Sequence, residues 1–144
     1  MSSKTSQSTR YVITNAQELI GKLCDSRFAY YDHRAQEYKY KLRPVLIVGV
    51  ERDKLPCDIT VFPVSKISRQ ENIDKEFDYP LTQQKHKSLN LKYDPSYVRV
   101  HKVTTIHTND LSFDYTNCNL NDNYPDTMSE ILNKYKEFSS KITS

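Results

Sequence analysis

The sequence predicts an α+β domain dominated by strands. We expect a small, partly open antiparallel β-barrel of the SH3-like kind, with a short N-terminal helix and a C-terminal helix. Two observations carry this prediction: strand-like segments outnumber helical ones, and the segments that connect them are too short for helical crossovers. Strands joined by short connections pair antiparallel, and a small antiparallel sheet reduces its exposed edges by curling towards a barrel.

The composition sets bounds on this domain. At 144 residues the chain has a size typical of one domain, and its 37% hydrophobic content is supplemented by 11 tyrosines that retain a hydroxyl. The 21 basic and 18 acidic residues leave a formal charge of +3, which permits contact with a polyanion without demanding it. We predict a disordered tail at residues 1–10 and one domain over residues 11–144.

Cysteine spacing and hydropathy predict a cytoplasmic protein without a metal or cofactor. Cys24, Cys57 and Cys118 lack the spacing of a zinc knuckle or a redox motif, so we expect free thiols. The longest apolar run, Val45–Val50, is too short to cross a bilayer. The first ten residues lack the apolar centre of a secretion signal. The two glycines of the chain cannot build a phosphate-cradling loop, which disfavours nucleotide triphosphate and dinucleotide enzymes.

The N-terminal elements follow from capping and periodicity. Thr14–Gln17 has the form of a capping box, and apolar residues within Leu19–Cys24 then share one face of a short helix. The aromatic segment Arg27–Tyr31 predicts a strand. Asp32–Leu42 is polar and is typical of a long loop.

Four further segments are candidates for strands. The continuous, mostly β-branched run Val45–Val50 is typical of a strand covered on both faces. Ile59–Val64 follows after a turn, and Phe77–Leu81 is a shorter candidate. Tyr97–Val103 alternates with a period of two. Ile106–Leu111 is either a loop or one more short strand.

The C-terminal segment predicts a loop followed by the clearest helix in the chain. Leu120–Pro125 is loop-like, and Thr127 with Glu130 forms a second capping-box pattern. The apolar residues after it recur at helical spacing and predict a stripe that packs on the core. They are Met128, Ile131, Leu132, Tyr135, Phe138 and Ile142.

The first candidate site lies at one end of a predicted hairpin. If Val45–Val50 pairs with Ile59–Val64, residue 45 opposes about residue 64, and Arg43 then lies close to Ser65 and Lys66. A guanidinium offers a planar fork of donors that suits phosphate oxygens, and a neighbouring hydroxyl can donate to the same phosphate. Such a pair could stabilise charge on a phosphodiester without a metal. The alternative stays open that Arg43 forms a local ion pair and Ser65 caps a turn.

The polar segment before Arg43 brings candidate RNA-binding groups to the same end. Tyrosine rings alternate there with Lys39 and Lys41, a pattern typical of single-stranded RNA binding. His33 and Glu37 border the same site. The alternative is that these tyrosines pack on the barrel.

A second group of candidates lies on the predicted strand Tyr97–Val103. Period two places Arg99 and His101 on one face, with Lys102 beside them. Histidine titrates near neutrality, so His101 is our candidate for proton transfer with ribose oxygens, and Arg99 and Lys102 are candidates for phosphate contact. An ordinary surface histidine is the alternative.

At these residues the sequence resembles the MazF/PemK family of toxin endoribonucleases from bacterial toxin–antitoxin pairs. Arg43–Val48 is similar to the family hallmark, an Arg-Pro followed by an aliphatic strand. Phe62–Ser65 resembles the end of the family's second strand, and Ser96–Arg99 resembles its third motif. Cys24-Asp25 occupies the place of the family's opening Gly-Asp.

The resemblance implies a homodimer of small barrels that cuts single-stranded RNA without a metal and is neutralised by an antitoxin protein. In such enzymes the ribose 2′-OH attacks the adjacent phosphate and leaves a cyclic phosphate. By this resemblance Arg43 stabilises the charged transition state, and Ser65 stands where the family more often has Thr. Many relatives have Glu-Gln where this chain has His101-Lys102. These departures keep open a catalytically silent member that binds RNA or a protein target such as a topoisomerase.

Overall fold

The computed structural model describes residues 15–112 and 118–143. Within these residues, seven strands form one sheet. They are β1 (Leu23–Asp32), β2 (Glu37–Val50), β3 (Asp58–Ser65), β4 (Asp78–Leu81), β5 (Ser96–Arg99), β6 (Thr104–His107) and β7 (Leu111–Ser112). The α-helices are α1 (Leu120–Asn123) and α2 (Pro125–Thr143). Short 3₁₀ helices span Ala16–Leu19, Gln70–Asn72, Lys87–Leu89, Val100–Lys102 and Thr108–Asp110.

The sheet has the order β4-β5-β3-β2-β1-β7, and β6 adds to the other part of β3. Every strand pair is antiparallel. The long central strands β2 and β3 each pair on both sides, so they curve around the core while the path through the sheet stays open. The predicted α+β class, with a partly open antiparallel barrel and a C-terminal helix, is confirmed.

The largest error of the sequence prediction concerns the segment Asp32–Leu42, which is not a loop. β1 and β2 form a long two-stranded ribbon whose register runs from Leu23↔Leu46 to Asp32↔Glu37. Cross-strand contacts hold this ribbon together: the Arg27 guanidinium lies 4.5 Å from the Tyr40 ring centroid, and the Lys41 ammonium lies 4.5 Å from that of Tyr30. The segment is polar because the ribbon extends beyond the core and exposes both faces to solvent. This polarity led to the prediction of a loop.

The N-terminal capping box lies one residue later than the sequence predicted. The Asn15 side chain accepts from the amide of Gln17 at 2.8 Å, and the Glu18 carboxylate accepts from the amide of Asn15 at 3.3 Å. The helix is a single 3₁₀ turn that ends before Gly21, whose φ of +95° is accessible to glycine but strained for other residues. Leu23 and the residue after it therefore belong to β1 and not to a helix face.

The buried core lies on both faces of β2 and β3, as the continuous apolar run predicted. Leu46, Phe62 and Val64 pack on one face with β5 and α2, whereas Val45 and Val61 pack on the other with the N-terminal turn. The register Val45↔Pro63 is one residue from the predicted one. β4 confirms the short strand predicted at Phe77–Leu81. Neither alternative for Ile106–Leu111 describes the whole segment, because β6 ends at His107, a 3₁₀ turn spans Thr108–Asp110 and β7 begins at Leu111.

The predicted strand Tyr97–Val103 is too long. β5 ends at Arg99, and a 3₁₀ turn at Val100–Lys102 replaces the second half. Strict alternation therefore does not relate Arg99 to His101, because the chain bends between them to pass under α2.

The C-terminal prediction is right about the helix and wrong about its boundaries. α2 begins at Pro125, a residue that suits a first helical position, so Thr127 lies inside the helix and caps nothing. Its hydroxyl instead lies 3.1 Å from Nε2 of buried His86. The predicted loop before α2 contains the one-turn α1, capped by the Asn119 side chain. Of the predicted stripe, Ile142 is 67% exposed and does not pack.

The predicted tail, residues 1–10, lies outside the described residues. Within residues 15–112 and 118–143, no helix combines the length and apolarity that a bilayer span requires. The three cysteines are buried free thiols.

Candidate nucleic-acid interface

Arg43 and Ser65 lie at the open end of the β2–β3 hairpin and line the same cleft. Val45 is paired with Pro63, and alternation along each strand gives Arg43 the face of Val45 and Ser65 the face of Pro63. Both residues line one cleft of about 400 Å³. The cleft is therefore built where the sequence placed the candidate site.

Apolar side chains form much of the cleft wall, and charged ones lie around it. The apolar residues include Leu23, Pro44, Val64, Leu89 and Leu91, and the polar or charged ones include Asp25, Lys41, Lys66, Lys92 and Tyr93. Asp25 is paired with Pro44, the neighbour of Arg43, so Asp25 and Arg43 approach the cleft from opposite faces of the sheet. A ligand in the cleft can thus be contacted by a guanidinium from one side and a carboxylate from the other.

The electrostatics of the cleft favour an anion near Arg43. Within the part of the chain that the structure describes, Arg43 forms no ion pair, and its side chain is exposed. Burial raises the pKa of the Asp25 carboxyl, an effect that the charge of Lys92 opposes. Burial also raises the pKa of the Cys24 thiol to about 12, so this cysteine is not a nucleophile near neutral pH.

The ribbon places the other basic candidates at different distances from this cleft. Lys41 lines the cleft. Lys39 lies farther out, with its ammonium 2.9 Å from the Asp32 carboxylate. His33 lies in the ribbon turn, its ring centroid 5.0 Å from that of Tyr31, and Glu37 begins β2 opposite Asp32. The structure thus brings Lys41 to Arg43 and Ser65 but leaves the other three near the ribbon tip.

The exposure of the ribbon tyrosines answers whether these rings pack on the barrel, as one alternative in the sequence analysis held. Tyr38 is 73% exposed and Tyr40 is 61% exposed. They do not pack on the barrel, because the ribbon that carries them projects from it.

A second, basic cleft of about 460 Å³ adjoins the first. Its charged lining residues are Lys66, Arg69, Arg99 and Lys102, and Lys66 lines both clefts. The Arg99 guanidinium is held by a side chain below it: Nε donates to Asp78 Oδ1 at 3.0 Å. Arg99 thus shares a cleft with Lys102 and not with His101, the residue predicted to share its face, and Lys66 connects this cleft to the first.

His101 does not line either cleft. Its side chain is only 13% exposed, and its Nδ1 lies 3.9 Å from Oδ1 of Asp78. The ring packs near Phe77 and Phe138, with centroid distances of 6.3 and 6.5 Å. Burial lowers the pKa of His101, although the negative charge of Asp78 acts in the opposite direction.

The charged or aromatic lining residues that were not among the sequence candidates are Asp25, Lys92, Tyr93 and Arg69. Asp25 could have been singled out from its place in the opening motif. The others lie in polar connections whose path over the sheet no local pattern shows. Within the described ranges 15–112 and 118–143, no group of three potential His, Cys, Asp or Glu ligands is placed to hold a metal ion.

The fold and the paired clefts define a class of protein: a small β-barrel domain with a cationic surface at one end of its central hairpin. A comparison with protein families makes this specific. The model of the PemK-like, MazF-like toxins of type II toxin–antitoxin systems matches residues 28–138. This match spans more than half of the chain, and the chain belongs to that family. No curated protein matches it.

Proposed function

We propose that this protein is the toxin of a type II toxin–antitoxin module and cuts single-stranded RNA without a metal ion. The observation that carries the proposal is the convergence on one cleft of the hydroxyl of Ser65 and the guanidinium of Arg43, which forms no ion pair within residues 15–112 and 118–143. Family membership supports the same activity, since the family's toxins are generally ribonucleases.

The proposed reaction needs charge stabilisation and two proton transfers. The ribose 2′-oxygen attacks the adjacent phosphorus and loses its proton, the bond to the 5′-oxygen breaks, and that oxygen gains a proton. The products are a 2′,3′-cyclic phosphate and a 5′-hydroxyl. Arg43 donates two hydrogen bonds to the non-bridging oxygens, where negative charge grows in the transition state, and Ser65 donates a third.

His101 is the third candidate catalytic residue, as an acid or base. RNA has to reach it from the second cleft, past its neighbour Lys102. The His101 side chain is 13% exposed, so the ring has to become more accessible for this role.

The RNA backbone follows the cations from the ribbon to the second cleft in this proposal. Lys66 lines both clefts, so one strand can contact both. Lysine and arginine contacts neutralise phosphates, and the exposed ribbon tyrosines offer surfaces for base stacking. The candidate RNA-binding residues are Lys39, Lys41, Lys66, Arg99, Lys102, His33 and Glu37.

A cognate antitoxin covers the same cations in this proposal, and the toxin acts as a homodimer in the cytoplasm. An antitoxin segment with acidic and apolar residues would compete with RNA for the clefts.

A second function is favoured by one observation, the packing of His101 against Asp78 away from the first cleft. A catalytically silent member of the family would bind RNA or a protein target, such as a topoisomerase, without cutting RNA. Binding that weakens with salt, with no cleavage products, is its expected behaviour.

The deciding experiment maps the ends produced from a long mixed transcript in the presence of EDTA. Wild-type protein and the Lys54→Ala control, which changes an exposed residue outside both clefts, should produce 2′,3′-cyclic phosphate ends. Arg43→Ala should produce none above background, and Ser65→Ala fewer than wild type. Intact transcript with the wild-type protein refutes the enzyme.

A further inference from the structure

The first cleft has a polar corner that the phosphate chemistry does not use. Asp25 and Lys92 both line the cleft, and the charge of Lys92 acts on the Asp25 carboxyl. No hydrogen bond or ion pair engages this carboxylate within residues 15–112 and 118–143. A half-buried carboxylate that accepts no hydrogen bond is costly even with the charge of Lys92 nearby, so the corner suits a ligand that supplies hydrogen-bond donors.

The rest of the cleft suits a flat, mostly apolar group. Its volume of about 400 Å³ lies within the range of small-molecule pockets, which is about 300–1,000 Å³. Tyr93 lines it and is 42% exposed, with the Lys66 ammonium 5.0 Å and the Lys92 ammonium 5.7 Å from its ring centroid. Both ammonium groups lie over this ring, and an unpaired base can stack on the ring when one of them moves aside to a phosphate or a base edge.

We propose that the first cleft is a base-specific pocket that selects guanine, read by Asp25 and Lys92. The inference rests on the proposed function for its substrate class, single-stranded RNA. Among the four bases, only guanine presents two adjacent N–H donors on its Watson–Crick edge, N1 and N2, and these match the two oxygens of one carboxylate. The neighbouring O6 accepts from the Lys92 ammonium.

The other bases fit this corner less well. Uracil offers one donor between two carbonyl oxygens, which would face the carboxylate. Adenine and cytosine offer one amino group and cannot satisfy both carboxylate oxygens along the same edge. A bidentate contact discriminates between bases by about 1–3 kcal/mol, so the expected preference for guanine is about tenfold.

Arg43 and Asp25 lie on opposite faces of the sheet, and both line the cleft, so they can contact two different parts of one nucleotide. A nucleotide can then present its phosphate to Arg43 and its base to Asp25. An apolar peptide side chain in the same place would leave the Asp25 carboxylate without a donor, which is why the chemistry favours a base.

Binding to uncleavable RNA tests the pocket. The probes are 2′-O-methyl octauridylate and the same octamer with one guanine, adenine or cytosine, followed by fluorescence anisotropy at fixed salt. Wild-type protein should bind the guanine octamer about tenfold more tightly than the all-uracil one. Asp25→Asn should reduce this ratio to about twofold or less. Asp58→Asn, a matched change at an exposed position outside both clefts, should preserve it.

Two further measurements keep the test decisive. If Asp25→Asn does not fold, Lys92→Ala at the exposed rim replaces it and should lower the same ratio. An unchanged guanine ratio in both variants, or equal affinity of the wild type for all four octamers, overturns the pocket. If the wild type nevertheless cuts long transcripts, only the pocket is lost. If it binds no octamer and cuts no transcript, the proposed function is lost as well.

Discussion

Arg43 and Arg99 are two arginines near neighbouring clefts, but the structure treats them differently. Arg43 is exposed and forms no ion pair in the described part of the chain. Arg99 donates through Nε and Nη2 to the two oxygens of Asp78, at 3.0 and 3.4 Å, and Nη2 also lies 3.3 Å from the carbonyl oxygen of Asn72. The Asp78 side chain is fully buried, whereas the Arg99 side chain is 22% exposed.

The Arg43 guanidinium is thus available for a ligand, whereas the Arg99 guanidinium is part of the structure of the fold. The Arg43 guanidinium can use all of its donors on an incoming phosphate, because no carboxylate among the residues that the structure describes forms an ion pair with it. Arg99 compensates a buried negative charge and holds the β4–β5 edge, and only its remaining donors face the second cleft. Substitutions at the two positions should therefore affect different quantities.

The largest effect is expected for Arg43→Ala on RNA cleavage. Removing one preorganised donor at a developing charge lowers rates by about 10²–10³-fold. The free energy of unfolding should change by no more than about 0.5 kcal/mol, because the side chain is exposed and forms no ion pair with any described residue. Initial cleavage rates and urea titrations measure the two quantities on the same preparations. If Arg43→Ala lost activity and also lowered the free energy of unfolding as much as Arg99→Ala does, the proposed difference between the two arginines would be wrong.

Arg99→Ala should show the opposite pattern. It leaves the Asp78 carboxylate buried without its guanidinium, and breaking a buried pair costs about 3–5 kcal/mol. We expect about 3 kcal/mol, at the lower end, since part of Arg99 is exposed. Urea titration gives this number, and Arg69→Ala in the same cleft is the control, because Arg69 is exposed and forms no ion pair among the described residues. Equal stability of the two variants would contradict a structural role for Arg99.

A smaller effect is expected for Lys102→Ala, which removes an exposed cation from the second cleft. If Lys102 neutralises one phosphate, the slope of log affinity against log salt concentration becomes less negative by about 0.7 for single-stranded RNA. Folding should be unaffected. Anisotropy titrations at several salt concentrations measure the slope, and Lys136→Ala on α2, outside both clefts, should leave it as in the wild type. An unchanged slope for Lys102→Ala removes the second cleft from the RNA path.

The smallest effect concerns pH and the histidine beside Asp78. Burial lowers the pKa of His101 in the folded protein, so the unfolded chain binds its proton at a higher pH than the folded chain does. Stability from this group is therefore complete above the ordinary histidine pKa of about 6.5 and falls as the pH drops below it. The pKa of His86 is also lowered, again chiefly by burial.

The measurement compares unfolding free energies at pH 7.5 and pH 5.5. His101→Gln should lose less stability than the wild type on acidification, and Gln84→Ala, at an exposed position without a titratable side chain, should lose as much as the wild type. A His101→Gln variant with the full wild-type pH dependence would show that the ring is protonated freely in the folded protein.

The strands of the central hairpin were predictable because their pattern of apolar residues can be read from a short stretch of sequence. Val45–Val50 is apolar without interruption and lies between two layers of core, and the register followed to within one residue from counting through the turn. The placement of Arg43 beside Ser65 on one cleft follows from that register. Local alternation was enough because both residues extend strands whose pairing is fixed by buried neighbours.

The ribbon and the end of β5 were not predictable by the same reasoning. The ribbon is stabilised by cross-strand contacts such as that of Arg27 with Tyr40, and a polar sequence does not reveal its partner strand. β5 ends at Arg99 because the chain must turn beneath α2, although the sequence alternates through to Val103. The position of His101 depended on that turn.

The sequence by itself determined the α+β class, the apolar central strands and the meeting of a cation with a hydroxyl at their end. Short-range periodicity and counting carry that information, since each strand's inner face is encoded residue by residue. Only the tertiary structure decided which charges are paired. Asp78 lies opposite Arg99 because β4 pairs with β5, and Asp25 lines the cleft because β1 pairs with β2. Both pairings join residues that are far apart in the chain. Electrostatic environment depends on such long-range neighbours, and so the difference between the two arginines became visible only in the folded molecule.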